Sequence, residues 1–77
     1  MNVTLYTKLG CRVCDEAEDA LRRLGKFIQF ELRLVYIDCE PVLLARFADS
    51  VPVVYVDGRE IASAPIDEAA LRAAISA

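Results

Sequence analysis

Three cysteines and no histidine stand among the 77 residues. Two of the three, Cys11 and Cys14, are separated by two residues in "LYTKLGCRVCDEAEDALRRLG". A pair so spaced can clamp a metal, staple a chain or work as a dithiol. The lack of histidine removes the commonest neutral metal ligand and the commonest general base. Ser-His and Cys-His catalysis are therefore excluded on inventory. A structural zinc site would need two more ligands, and only Cys39 and carboxylates remain to supply them. Incidental core cysteines are the plain alternative. What favours a working redox pair is its setting, between a short apolar run and an amphipathic stretch.

That setting follows from the periodicity. "NVTLYT" (2–7) alternates and predicts a strand, and "KLG" turns the chain. From Cys11 onward Val13, Ala17, Ala20, Leu21 and Leu24 recur at helical spacing, with acids early, arginines late and Gly25 as a stop. Cys11 then lies where a strand ends and a helix begins. The first N–H groups of a helix are unpaired and carry partial positive charge, which favours a thiolate. Lys8 and Arg12 add cations nearby in sequence. A free thiol of pKa about 8.5 is only a few per cent ionised at neutral pH, whereas at about 7 roughly half of it would be nucleophilic. Cys14, one turn on, shares the helix face of Cys11 and is expected to be the more buried and less ionised. Cys11 is thus assigned to attack a disulfide and Cys14 to resolve the mixed disulfide.

The remaining segments supply the frame. "FELRLVYID" (30–38) reads as a second strand, and Pro41 opens a short helix carrying Leu43, Leu44 and Phe47. "PVVYVDGREIA" (52–62) is a hairpin turning at Asp57-Gly58. "IDEAALRAAISA" is a terminal helix with Asp67 near its start and Ile66, Ala70, Leu71, Ala74 and Ile75 facing inward. The order is β-α-β-α-β-β-α, an α/β domain spanning 1–77 with three helices on a four-stranded mixed sheet. Intervening helices favour parallel pairing of the first three strands, and the hairpin makes the last pair antiparallel. Tyr6, Tyr36 and Tyr55 are expected on sheet faces. Cys39, at the end of the second strand, shares a sheet edge with Cys11. It reads as a small residue preceding the second helix, or more sharply as an auxiliary thiol.

Composition narrows the partners. The chain is 56% hydrophobic and 27% charged, with a net charge of -3, so a folded domain is expected. The absence of a basic stripe argues against nucleic acid. No apolar run has membrane length, and no signal peptide is evident. A cytoplasmic monomer is the expectation, a compartment where close cysteines serve catalysis or metals more than stapling.

With these residues in view, the sequence resembles the glutaredoxin-like branch of the thioredoxin superfamily, and in particular its short bacterial glutaredoxin-like proteins. "LYTKLGCRVC" is similar to the opening strand, lysine and C-x-x-C of that group, and "SVPVVYVDGREI" to its Val-Pro, strand and hairpin block. The resemblance spans nearly the whole chain and implies the thioredoxin fold. It implies Cys11 as nucleophile and Cys14 as resolving thiol of a disulfide reductase acting on protein or glutathione mixed disulfides. It also implies a cis Val51–Pro52 bond beside them, with the Val51 N–H and C=O pairing with an extended substrate, and Lys8 near a glutathione carboxylate. Pro52 could otherwise be an ordinary trans strand-opening proline. Arg12-Val13 replaces the usual Pro-Tyr pair. "ASAPIDEA" replaces the Gly-Gly and acidic pair that help hold glutathione, with Asp67 and Glu68 approximating the acids alone. No tightly bound cofactor is expected. Glutathione or a thioredoxin-type reductase would supply electrons. An iron–sulfur or metal carrier using Cys11, and a redox-inert adaptor, are the alternatives.

Overall fold

The computed structural model describes residues 1–76. Four strands and three helices follow in the expected order: β1 (Asn2–Thr7), α1 (Arg12–Leu24), β2 (Glu31–Tyr36), α2 (Pro41–Phe47), β3 (Val53–Val56), β4 (Arg59–Ser63) and α3 (Glu68–Ser76). A single 3-10 turn, Ile37–Cys39, joins β2 to α2. The second strand is therefore shorter than its apolar run, and Cys39 lies in the turn after it.

The sheet order is β2-β1-β3-β4. β1 and β2 run parallel, with Thr7 opposite Tyr36. β3 runs antiparallel to β1, with Tyr6 opposite Val53, which corrects the expectation of three parallel strands. The reason is the length of α2. Seven residues of helix cover only about 10 Å, while a strand of β1's length extends about 20 Å. The chain therefore re-enters the sheet from the edge at which β2 ended. The 13-residue α1 is long enough to return the chain to the opposite edge, and β2 is parallel. The reversal matters to the site: a parallel β3 would have left Pro52 at the edge far from Cys11.

Both sheet faces are covered. Val3, Leu5 and Val54 meet Ala17, Ala20, Leu21 and Leu24 of α1 and Leu71 and Ile75 of α3 in one buried cluster. The other face buries Ile37, Phe47 and Val53. There Tyr6 stacks on Phe47 at 4.7 Å and meets Tyr55 edge-on at 5.2 Å, so two of the three tyrosines are sheet-face aromatics. Three residues expected inside are outside. Val13 is 53% exposed, and Ala70 and Ala74 are exposed. Leu71 and Ile75 alone carry the inner stripe of α3. The β3–β4 turn places Asp57 and Gly58 at φ 49° and 85°, the left-handed pair that a two-residue hairpin requires.

Candidate active site

β1 delivers the chain to the site. Its last residue, Thr7, is buried, and residues 8–10 then turn toward α1. Two features hold this turn. Gly10 has φ +69° with open space around its Cα, a backbone region that a side chain would strain. The Leu9 N–H donates to the Asp38 carboxylate at 2.8 Å, which ties the turn to the end of β2.

Cys11 is the N-cap of α1, with extended φ -107° and ψ 109°. Its carbonyl accepts the Asp15 N–H at 3.0 Å, the first bond of the helix. Its sulfur accepts the Cys14 N–H at 3.2 Å, in the place where a serine or aspartate oxygen would cap. Cys11 and Cys14 form a disulfide with Cα atoms 5.2 Å apart, within the range the bridge demands. Cys11 is half-buried, whereas Cys14 is fully buried. The pair thus has one sulfur reachable from outside and one reachable through its partner.

The flanking cations are less engaged with the sulfur than their spacing suggests. The Arg12 side chain is 92% exposed and pairs with Glu16 at 3.5 Å, so its charge is partly neutralised and solvated. Lys8 is half-buried. Among the described residues it makes no ion pair.

Val51–Pro52 is cis, as the resemblance implies, and Pro52 is fully buried. The register with Tyr6 brings it to the edge of the sheet from which Cys11 emerges. One correction falls on Val51. Its N–H donates to the Phe47 carbonyl at 3.0 Å, in the turn that follows α2, so it is not open to a substrate in this state. A second cis bond, Ala64–Pro65, had no sequence signal beyond the proline itself. Pro52 and Pro65 line one groove together with Val13, Ala17 and Ala20 of α1. Cys39 is exposed and unbridged, on the same sheet edge as Cys11. Among the described residues, no three Cys, Asp or Glu side chains converge as a metal site would need. No described helix is long and apolar enough to cross a membrane.

The fold and the bridged pair at a helix tip define a thioredoxin-fold protein of the glutaredoxin-like kind, with thiol redox chemistry as its general capacity. A sequence model of the Glutaredoxin-like domain (DUF836) matches residues 2–76, and the chain belongs to that family. An uncharacterized protein of Mycobacterium tuberculosis is 35% identical over 79 aligned positions, covering 96% of this chain and 81% of the relative. The crystal structure of protein XcR50 from X. campestris is 35% identical with a TM-score of 0.76, over 92% of this chain and 91% of that one. E. coli glutaredoxin, 24% identical with a TM-score of 0.60 over 82% of this chain and 84% of its own, shares the fold.

Proposed function

We propose that this protein is a small thiol–disulfide oxidoreductase in which Cys11 attacks and Cys14 resolves. The observation that carries the reading is the asymmetry of the pair. Cys11 caps α1 with its sulfur on the Cys14 N–H, while Cys14 is sealed beneath it. When the pair is reduced, the same N–H and the helix N-terminus stabilise negative charge on Cys11.

The reaction balances as an exchange. The Cys11 thiolate attacks one sulfur of a substrate disulfide, a Cys11–substrate bond forms, and the other sulfur leaves as a thiolate that takes up a proton. Cys14 then loses its proton and attacks the Cys11 sulfur. The Cys11–Cys14 bond forms and the second substrate thiol departs. Two electrons pass from the dithiol to the substrate. A thiol or dithiol reductant restores the pair. Val51 offers its carbonyl to an extended substrate, since its N–H is engaged by Phe47, and Lys8 and Arg12 supply positive charge at the rim.

Reduction of insulin or of hydroxyethyl disulfide tests this, coupled either to glutathione with its reductase and NADPH or to thioredoxin reductase with NADPH. One of the two couples should sustain turnover, and Cys11→Ser should abolish it. Turnover retained by Cys11→Ser would refute the assignment.

A further inference from the structure

The sheet ends on one side at β2, and among the described residues no strand pairs with its outer edge. The other outer strand, β4, is guarded. Its register with β3 shifts between Val54 and Tyr55, which leaves Ile61 without a partner, and a bulge of this kind spoils an edge for further pairing. β2 carries no such device. Its six residues follow β1 without a break in register, and none is proline. The Glu31 N–H bonds to the Met1 carbonyl at 3.0 Å, so Glu31, Arg33 and Val35 turn their backbone groups toward β1. In a parallel ladder the alternate residues, Leu32 and Leu34, turn theirs outward. The Phe30 carbonyl, across one trans peptide from the Glu31 N–H, points outward with them.

The side chains along this edge complement themselves. In an antiparallel pair with a second copy, one register sets Leu32 opposite the second copy's Leu32, Phe30 opposite its Leu34, and Glu31 opposite its Arg33. The outward backbone groups of Leu32 then fall in a hydrogen-bonded pair. Glu31 and Arg33 fall in a non-hydrogen-bonded pair, where Cα atoms approach to about 4.5 Å. Both are exposed, and among the described residues neither forms an ion pair. Phe30, Leu32 and Leu34 are half-buried against the cluster under α1 and α3, so the contact extends each core across the edge. The neighbouring registers are disfavoured. A slip of two residues one way sets Arg33 against Arg33, and the other way Glu31 against Glu31, and like charges directly opposite destabilise a pair. The next slips give neither charge a partner.

We infer that the outer edge of β2 is an interaction surface for a second copy of this chain, joined antiparallel with Glu31 facing Arg33 on each side of the twofold axis. The contact is isologous and closes at two copies. This departs from the monomer expected from the sequence and is independent of the reading of Cys11. It leaves that site free: the turn carrying Cys11 lies beyond the C-terminal end of β2, and the twofold axis sends the two sites to opposite edges of the joined sheet.

The test is analytical ultracentrifugation of the full chain at low salt, from about 10 μM to about 1 mM, the range in which a small interface associates. Mass spectrometry of each sample excludes dimers bridged through Cys39. The protein should pass from monomer to dimer with rising concentration. Glu31→Arg or Arg33→Glu alone places like charges opposite on both sides of the axis and should raise the dissociation constant by roughly tenfold or more. The double variant Glu31→Arg/Arg33→Glu restores opposite charges in the same register and should recover the dimer. The two single variants mixed together should also associate. Both positions are exposed, and circular dichroism checks that each variant folds. Hydrogen exchange gives the second readout: the Leu32 and Leu34 N–H groups should exchange more slowly in concentrated than in dilute protein. A monomer throughout the range overturns the inference. So does a dimer that either charge reversal leaves intact, or one without added protection at Leu32 and Leu34, since its contact lies elsewhere. A double variant that stays monomeric overturns the register.

Discussion

The Leu9 N–H donates to the Asp38 carboxylate at 2.8 Å, across 29 residues of sequence. The parallel register of β1 and β2 sets Thr7 beside Tyr36. The two strands end together, and an acid two residues beyond one meets an amide two residues beyond the other. The turn that presents Cys11 is thereby fastened to the sheet rather than left to its own sequence. Asp38→Ala should loosen it. A hydrogen bond of this kind contributes about 1 kcal/mol net, so thiol exchange should slow by about fivefold, and Asp38→Asn, which keeps an acceptor oxygen, should recover most of the loss. Stopped-flow rates with hydroxyethyl disulfide, set beside the thiolate absorbance of Cys11, check this. Equal rates for all three proteins would remove Asp38 from the positioning of the site.

The cap geometry makes a separate prediction about ionisation. In a Cys14→Ser variant the residue 14 N–H still faces the Cys11 sulfur, and α1 still ends there. Its thiolate should therefore form at lower pH than that of free cysteine. Arg12 should contribute little, because its side chain is 92% exposed and paired with Glu16. Arg12→Ala in that background should leave the midpoint nearly where it was. Absorbance at the thiolate band as a function of pH measures both. A midpoint at or above that of free cysteine contradicts the capping argument, and a large shift from Arg12 contradicts the account of its charge. The same Cys14→Ser protein should accumulate a stable mixed disulfide with substrate, because no second thiol releases it.

The parts of this molecule that were legible in its sequence are those fixed by local periodicity. Val3 and Leu5 alternate into the core, and Ala17, Leu21 and Leu24 lie on one helical stripe, so β1, α1 and the junction holding Cys11 could be read directly. The direction of β3 could not. It depends on whether α2 is long enough to carry the chain back across the sheet, a comparison of two lengths that hydrophobic pattern does not express. Val13 fits the apolar stripe by spacing, yet it projects at the open end of α1 where the neighbouring wall is a groove. Ala70 and Ala74 fit the stripe of α3, but the larger Leu71 and Ile75 alone reach the core. The engagement of the Val51 N–H by Phe47 and the tie between Asp38 and Leu9 are tertiary contacts without a local signature.

The contrast between Leu5 and Val13 gives a stability prediction. Leu5 is fully buried between the sheet and the helices on that face. Leu5→Ala removes its transfer energy and leaves a cavity, at a cost of about 3 kcal/mol. In a domain of this size that should lower Tm by more than about 10 °C. Val13→Ala, at a position 53% exposed, should cost no more than about 0.5 kcal/mol. Thermal unfolding followed by circular dichroism distinguishes them. Comparable losses for the two variants would mean that Val13 is covered in solution, and hence that the groove is not open.

The ion pair between Arg23 and Glu68, 2.7 Å apart, predicts a pH dependence of definite sign. The hydrogen bond from Arg23 holds the Glu68 carboxyl below the usual carboxylate range, and the same bond raises Arg23 above its ordinary value. A carboxyl whose folded pKa is depressed adds stability above its unfolded pKa, and that stability is lost as pH falls through the folded value. The Arg23 contribution would be lost only at pH above the arginine range, outside any practical window. Glu68→Gln should therefore lower Tm slightly at pH 7, and the gap to the parent protein should close as pH drops below the ordinary carboxylate pKa. Both side chains are about half exposed, so the gap should also shrink in high salt. Thermal melts at pH 7 and pH 3, each at low and high ionic strength, measure it. A gap equally wide at both pH values would show that the glutamate acts through packing and not through its charge.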